Sequence, residues 1–321
     1  MMTANGIIGF HKFSIDGHTM TVIAQDYVPT QPFETEVVTL GVGQRTDVLV
    51  TAKGGSQDAV WMRTQMIDAA FCGGLTPPYV NFRYSQAGIY YEDADTTLLP
   101  TSTSDIDIPL VCDNDDLSLT QPEYVIAPTT SDAYYQGLTL SLEPNATGSF
   151  IWEINEQTYR ADFNSPILFA AQAGEVDFPA NPEWNTYNFA QNNSIVFNVT
   201  NTTPFPHPLH LHGHNFYVLA VGTAGTVWDG SIENPSNPNR RDTQIVPAGG
   251  YVAVQFDADN PGVWPFHCHV AWHLSGGLAI NTITKADELA SLIPAGEQAK
   301  TCDAWQAWSS KNVVDQIDSG S

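Results

Sequence analysis

Short β-branched and aromatic runs recur from one end of the chain to the other: TMTVIAQ, EVVTLGV, TDVLVTA, AVWMRTQ, LTLSLE, FIWEIN, SIVFNVT, FYVLAVG, YVAVQFD and LAINTIT. Clusters of Gly, Pro, Asn and Asp separate them, the mark of strands closed by turns. Helical period is scarce. The best stretch, KADELASLIPAGEQAKTCDAWQAWSSKNVVDQ, predicts one or two short surface helices. Many short strands with regular turn signals predict an all-β protein built of Greek-key sandwiches or barrels. A Pro/Thr/Ser/Asp-rich passage over 101–130 reads as an interdomain linker. It divides the chain into a β unit over 1–100, a second over 131–300, and a polar tail over 301–321.

Composition narrows what such a protein can do. With 321 residues, 42% of them hydrophobic, there is room for about two domains with their own cores. Lys and Arg number 11 against 35 Asp and Glu, a net charge of −24. That balance excludes nucleic acid as a partner, because phosphate binding needs clustered cations. The one basic pair, Arg240–Arg241 in NPSNPNRRDT, predicts a structural ion pair. No apolar run approaches the roughly 18–20 residues that cross a bilayer, so no membrane partner is expected. The start, MMTANGIIGFHKF, has no basic segment, and its apolar run is too short for a secretory signal. Four N-x-[ST] sequons, at Asn145, Asn192, Asn198 and Asn201, nevertheless nominate glycosylation and lean toward a secreted protein.

The chemistry is concentrated in two short stretches. Seven of the nine histidines fall in HPLHLHGH at 207–214 and HCHVAWH at 267–273. Side chains on a strand alternate between faces. His267 and His269 therefore point one way and Cys268 the other. His210 and His212 share a face, and His207, beyond Pro208, is free to belong elsewhere. This sorting predicts two metal sites back to back. Cys268 with His207 and His273 makes a Cys-His₂ set, the ligand combination of a blue-copper electron-transfer centre. His210, His212, His267 and His269 make an all-imidazole array suited to copper that binds oxygen species. Cys268, flanked by an array residue on each side, would wire the first site to the second. The axial position of the first site falls a few residues past His273, on Leu278, which cannot coordinate. Losing a thioether there favours Cu(I) and raises the potential, as suits an electron acceptor for phenols. Structural zinc prefers C-x-x-C spacing, which is absent. A cysteine protease needs a separate base rather than a thiol between two imidazoles.

At these residues the chain resembles the multicopper oxidases, and specifically the laccases of filamentous ascomycete fungi. HPLHLHGHNF and WPFHCHVAWHLSGGL are similar to that family's third and fourth copper motifs. The resemblance implies type-1 copper at His207, Cys268 and His273 with Leu278 axial, type-2 copper at His210, and the type-3 pair at His212, His267 and His269. FHKFSIDGHTMTVIAQDYVP and GQRTDVLVTA resemble the latter half of the family's second cupredoxin domain; NRRDT, FIWEIN and the final DSGS match as well. The implied fold is cupredoxin-like, with 1–100 a partial second domain and 131–300 the third. The implied activity is one-electron oxidation of phenols and aromatic amines, including lignin-type phenols, coupled to reduction of dioxygen to water. Four coppers serve that reaction in the full-length enzyme.

The resemblance also implies a Cys72–Cys112 disulfide and a bridge from Cys302 back to a first domain. It implies a substrate pocket drawn from Trp272, Phe205, Phe150 and Trp152, and a channel-entering role for DSGS, although Ser321 stands where the family usually has an apolar residue. His18 and His214 then look structural, and His11 has no assigned role. In the family, three cupredoxin domains supply eight cluster histidines, four of them from two H-x-H motifs in the first domain. Neither motif is in this chain, and the acidic residue that holds phenolic substrates likewise lies upstream. The expectation is thus the C-terminal part of a secreted laccase, with a complete type-1 site and half a trinuclear cluster. The competing expectation is a catalytically incomplete copper-binding or electron-transfer fragment. Closing the cluster between identical chains fits poorly, since copies of one half cannot make the other.

Overall fold

The computed structural model describes residues 1–3, 9–67, 84–106, 108, 111–129, 131–292 and 296–312. Four sheets hold almost all of its regular structure, as the turn-bounded runs predict. The first half of the chain forms two four-stranded sheets. One runs Met2–Thr3, Arg45–Val50, Met20–Gln25, Val28–Thr35; the other runs Val38–Leu40, Phe10–Ile15, Ala59–Ile67, Tyr84–Tyr90. Their shared core is built on Ile15, Met20, Val22, Val38 and Leu40.

The second half forms a larger sandwich. A six-stranded sheet runs in the order Phe150–Ile154, Tyr134–Pro144, Ser194–Asn201, Tyr251–Asp257, Phe216–Gly222, Arg240–Arg241. A five-stranded sheet runs Thr186–Asn188, Ala279–Thr284, Gly262–Cys268, His207–Leu211, Thr243–Val246. Alternate residues of both sheets meet in one core, where Phe197 packs its ring 5.3 Å from that of Phe256 and 5.1 Å from that of Phe266. Cys268 belongs to this core, as do Leu209 and Leu278. The C-terminal region carries the expected helices, Leu289–Leu292 and Glu297–Ser309.

The passage expected to be a linker is packed rather than loose. Its backbone bonds to the first unit (Gln31 N to Gln121 O, 2.7 Å; Glu123 N to Pro29 O, 2.8 Å). Side chains of the second unit grip it from the other side: Asn237 Nδ2 donates to Pro122 O at 2.9 Å and Asn239 Nδ2 to Thr120 O at 2.8 Å. Arg240 donates to the carbonyls of Tyr124 and Ile126, while Arg241 makes the expected ion pair, with Asp26 at 2.9 Å.

The four sequons separate by environment. Asn145 is itself partly covered but opens the turn between Tyr134–Pro144 and Phe150–Ile154, whose next residues, Ala146, Thr147 and Gly148, are exposed. Asn192 and Asn198 are partly covered; Asn192 donates to Phe189 O, and Asn198 lies on the strand between Tyr134–Pro144 and Tyr251–Asp257. Asn201 corrects the sequence reading: it is 1% exposed, and its amide donates to Phe205 O and Pro247 O. A glycan on that nitrogen would displace both bonds and the core around them. Cys112 is disulfide-bonded and Cys302 is free; Cys72, the expected partner of Cys112, lies outside the described residues, as does DSGS.

Candidate metal centre

Strand register sorts the ligands. His207–Leu211 runs antiparallel to Gly262–Cys268, with Leu209 opposite Cys268 and His210 opposite His267. Leu209 and Cys268 face the sandwich core; His210 and His267 therefore face outward, one residue out of phase. His207, two before Leu209, turns inward and is fully buried. The strand ends at Cys268, and the short helix Ala271–Ser275 folds the chain back. Leu278 N then donates to His273 O (2.9 Å), and Cys268 N to Leu278 O (3.1 Å). That turn returns His273 to the buried thiol.

The result is a compact triad. Cys268 Sγ lies 3.6 Å from His207 Nδ1 and 3.5 Å from His273 Nδ1, and the two nitrogens are 3.1 Å apart. Among the described residues it is the one group of three or more His, Cys, Asp or Glu whose donor atoms converge to metal-binding distance. Trp152 covers it, its ring 4.3 Å from that of His273 and 4.8 Å from that of His207; Phe205 packs on Trp152 edge-to-face, the ring centres 6.0 Å apart. Gly276 and Gly277 permit that approach. A Cβ on Gly276 would stand 2.9 Å from the Trp152 ring, and Gly277, at φ +110°, would push one into Thr158. Trp272 stands 65% exposed beside His273, and Phe150 is exposed at the start of the strand that carries Trp152. Leu278 is fully buried.

On the outward side the four remaining histidines gather. His212 Nε2 is 2.9 Å from His267 Nε2, and the His210 ring lies 4.7 Å from His212 and 5.7 Å from both His267 and His269. Backbone carbonyls set two tautomers. His210 Nδ1 donates to Asp242 O at 2.8 Å and His267 Nδ1 to Cys268 O at 2.8 Å, which leaves each Nε2 with its lone pair, that of His267 facing His212 Nε2. His269 is held by its amide, which donates to Pro208 O, and Gly43 (φ +88°) comes so close that a Cβ there would overlap its ring.

Burial gives these groups their chemistry. It pushes His267 down to about 3, His273 down to about 4, and His207 well below its ordinary value. These three imidazoles are therefore neutral at physiological pH, with lone pairs available to a metal. Burial also pushes the Cys268 thiol up to about 12, so its thiolate needs a cation to exist. Burial disfavours the Asp242 carboxylate too, but hydrogen bonds from Arg45 and His210 outweigh it and hold the group far below the usual carboxylate range.

Several supporting residues were not readable beforehand. Arg45 reaches from the first unit to Asp242 through both guanidinium nitrogens (2.6 and 2.5 Å), and Gln44 Nε2 donates to Thr243 O. Asp26, fully buried, accepts from Arg241, the Arg45 amide and the Thr243 amide. GQRTD and NRRDT signalled their presence, but pairing across nearly 200 positions leaves no local trace. His18 is structural: its Nδ1 donates to Asp16 O and its Nε2 pairs with the Tyr91 hydroxyl, both at 2.7 Å. His214 bonds His212 O and packs on Trp264 and Phe256. His11 lies beside Thr64, on the strand Phe10–Ile15 of the first unit.

Two inward imidazoles and a thiol around one point, backed by four outward imidazoles, are what a cupredoxin domain of a copper oxidase presents. The chain matches the multicopper oxidase family over residues 4–81 and again over 152–288, and it belongs to that family. Its relatives include Laccase-1 of Melanocarpus albomyces, 32% identical over 96% of this chain and 51% of that protein. Laccase-1 of Botryotinia fuckeliana is 31% identical over 97% of this chain and 54% of its own length. Among solved structures, the laccase from Botrytis aclada superposes with a TM-score of 0.85 at 29% identity, covering 99% of this chain and 57% of that one. Fet3p, a multicopper oxidase that functions in iron import, gives 0.82 at 25% identity over 95% and 59%. The chain thus spans about half the length of the curated relatives it matches. Membership of the family implies copper, and the donor set fits it. A thiolate and two neutral imidazoles are soft-to-borderline ligands, and separations of 3.1–3.6 Å are those of donors sharing one ion.

Proposed function

We propose that this chain carries the complete type-1 copper site of a laccase-type oxidase, at His207, Cys268 and His273 with Leu278 axial. It also carries one half of the oxygen-reducing cluster: His210 for type-2 copper and His212, His267 and His269 for the type-3 pair. The observation that carries this reading is the convergence of His207, Cys268 and His273 in a dry pocket, with the array on the opposite face of the same two strands. Copper held by these residues supplies a one-electron acceptor on the inward side and a site for reducing dioxygen to water on the outward side.

The chain's own residues do the rest. Trp152 lies over both imidazoles and keeps water from the thiolate. Trp272 and Phe205, with Phe150 nearby, form the wall against which a phenol or aromatic amine sits at the edge of His273. The two-residue backbone path from Cys268 to His267 and His269 is the shortest covalent route between the sites, and the His267 to Cys268 O hydrogen bond doubles it. Asp242 and Arg45 hold His210 in place.

We assign residues 1–100 to part of one cupredoxin domain and 131–300 to another, with 101–130 strapped between them and helix Glu297–Ser309 running into the tail. The disulfide at Cys112 and the Asn145 sequon at an exposed turn support a place outside the cell. No described helix is long and apolar enough to cross a membrane. Only two histidines, His11 and His18, lie outside the two motifs, too few for four further cluster ligands, which on this reading come from elsewhere. A protein carrying those four, with Cys302 the natural tether, is its partner for catalysis; alone, the chain binds copper and accepts an electron. Loading the purified chain with Cu(II) tests this. It turns blue and consumes no oxygen steadily with a phenol; a colourless loaded chain, or sustained oxygen uptake, contradicts it.

A further inference from the structure

The NTT sequon at Asn201–Thr203 has a second life inside the protein, and its hydrogen bonds can be followed to the metal triad one proton at a time. Asn201 and Thr203 are 1% and 3% exposed, and His207 is fully buried. The Asn201 amide has two carbonyls on one side, Phe205 O at 2.7 Å and Pro247 O at 2.9 Å. Carbonyls only accept, so the NH₂ must face them and Oδ1 must face the other way. There Oδ1 meets the Thr203 amide at 3.0 Å and the Thr203 hydroxyl at 2.8 Å. An amide oxygen also only accepts, and two oxygens 2.8 Å apart are held together only by a proton between them, so the single hydroxyl proton of Thr203 is directed to Oδ1. Phe205 O, at 3.2 Å, is a second neighbour that can only accept that proton, and the Phe205 amide donates to the hydroxyl at 3.4 Å; the remaining neighbour is His207 Nε2, at 2.9 Å. With its proton committed, Thr203 Oγ1 can only accept there.

We infer that Thr203, oriented by Asn201, is a positioning residue that fixes His207 as the Nε2–H tautomer and so turns the Nδ1 lone pair toward Cys268 and His273. Without that acceptor the alternative tautomer has its own reward. An Nδ1–H on His207 would donate to His273 Nδ1 at 3.1 Å, closing the triad on itself and masking two donors at once. Thr203 therefore selects between a metal-ready triad and a self-bonded one. Its backbone is pinned for the task, since Gly249 N donates to Thr203 O at 3.0 Å and Asn201 N to Gly250 O at 2.8 Å. The consequence for copper rests on the type-1 reading above; the tautomer does not.

The experiment uses the full chain labelled with ¹⁵N-histidine and freed of metal, as wild type, Thr203→Ser and Thr203→Val. Imidazole nitrogen shifts report the tautomer of His207 directly. Wild type and Thr203→Ser should show Nε2–H with bare Nδ1; Thr203→Val, which keeps shape but loses the acceptor, should move to Nδ1–H. Cu(II) affinity should then fall about 10–100-fold in Thr203→Val, the usual effect of losing an outer partner of a metal ligand, and recover in Thr203→Ser. An Nδ1–H tautomer in wild type overturns the inference outright, whether or not the valine variant folds. So does an unchanged tautomer in Thr203→Val. A wild-type Nε2–H tautomer in a chain that binds no copper would instead sustain this inference and sink the type-1 reading.

Discussion

The triad and the four-histidine array lie back to back on the same pair of strands, and residues 267, 268 and 269 alternate between them. Their surroundings nevertheless differ sharply. The triad is sealed: two of its three side chains are wholly buried, Trp152 covers it, and every supporting bond comes from the second unit of the chain. The array is open. Only His267 is buried; His210 and His269 are partly covered and His212 is exposed. Its supports reach in from the first unit through Gly43 and Arg45. A site that must exclude water is completed by one hydrophobic core, whereas a site built on an exposed face depends on whatever stands opposite it.

The comparison breaks most completely at the thiol. Cys268→Ser should abolish the blue charge-transfer band of the copper-loaded chain while copper remains on the array, read by absorbance beside a metal count; surviving colour would place the chromophore elsewhere. Next in size is the support beneath the array. Asp26→Ala leaves Arg241 without its buried carboxylate partner and should lower unfolding stability by about 3–5 kcal/mol. Urea titration would measure it, and a loss below about 1 kcal/mol would mean the two units hold together by other means.

A third effect depends on pH. Burial raises Asp115 to about 6, against the pull of Arg241 and Lys12, while Gln25 donates to it at 2.8 Å. Its unfolded value is near 3.9, so the ionised form costs the fold stability above pH 6. As pH falls from 6 toward 4, the folded chain takes up a proton that the unfolded chain does not, and that cost disappears. Asp115→Asn should therefore be more stable than wild type at pH 7, by up to about 3 kcal/mol, with the gap closing near pH 4. Paired melting curves would show it, and a gap that does not change with pH would refute it. Smallest is Leu278→Met, a volume-conserving core change costing less than about 1.5 kcal/mol. It should keep the blue band but lower the reduction potential, as a thioether ligand does; an unchanged potential would remove Leu278 from the axial position.

Much of this was legible in the residues because strand alternation is local. HPLHLHGH and HCHVAWH carry their own sorting rule, and the register of Leu209 with Cys268 obeys it. The all-β class was readable for the same reason, since runs such as YVAVQFD are bounded by turn residues they cannot outgrow. What stayed hidden was long-range or context-bound. The Arg45–Asp242 and Arg241–Asp26 bridges join segments that no periodicity connects. The helix Ala271–Ser275, which brings His273 home, is too short for a helical pattern. Asn201 was misread because a sequon is three letters long, and only burial distinguishes a glycan acceptor from an internal hydrogen-bond donor.

On the proposed reading, the triad is a whole copper site on its own while the array is not. The most direct measurement is a Cu(II) titration of the full chain and of a His210→Ala/His212→Ala variant, followed by optical and electron paramagnetic resonance spectra. One blue copper per chain is expected in both, with the variant losing only copper that is not blue. Loss of the blue signal in the variant, or copper bound without blue colour in the wild type, would contradict it.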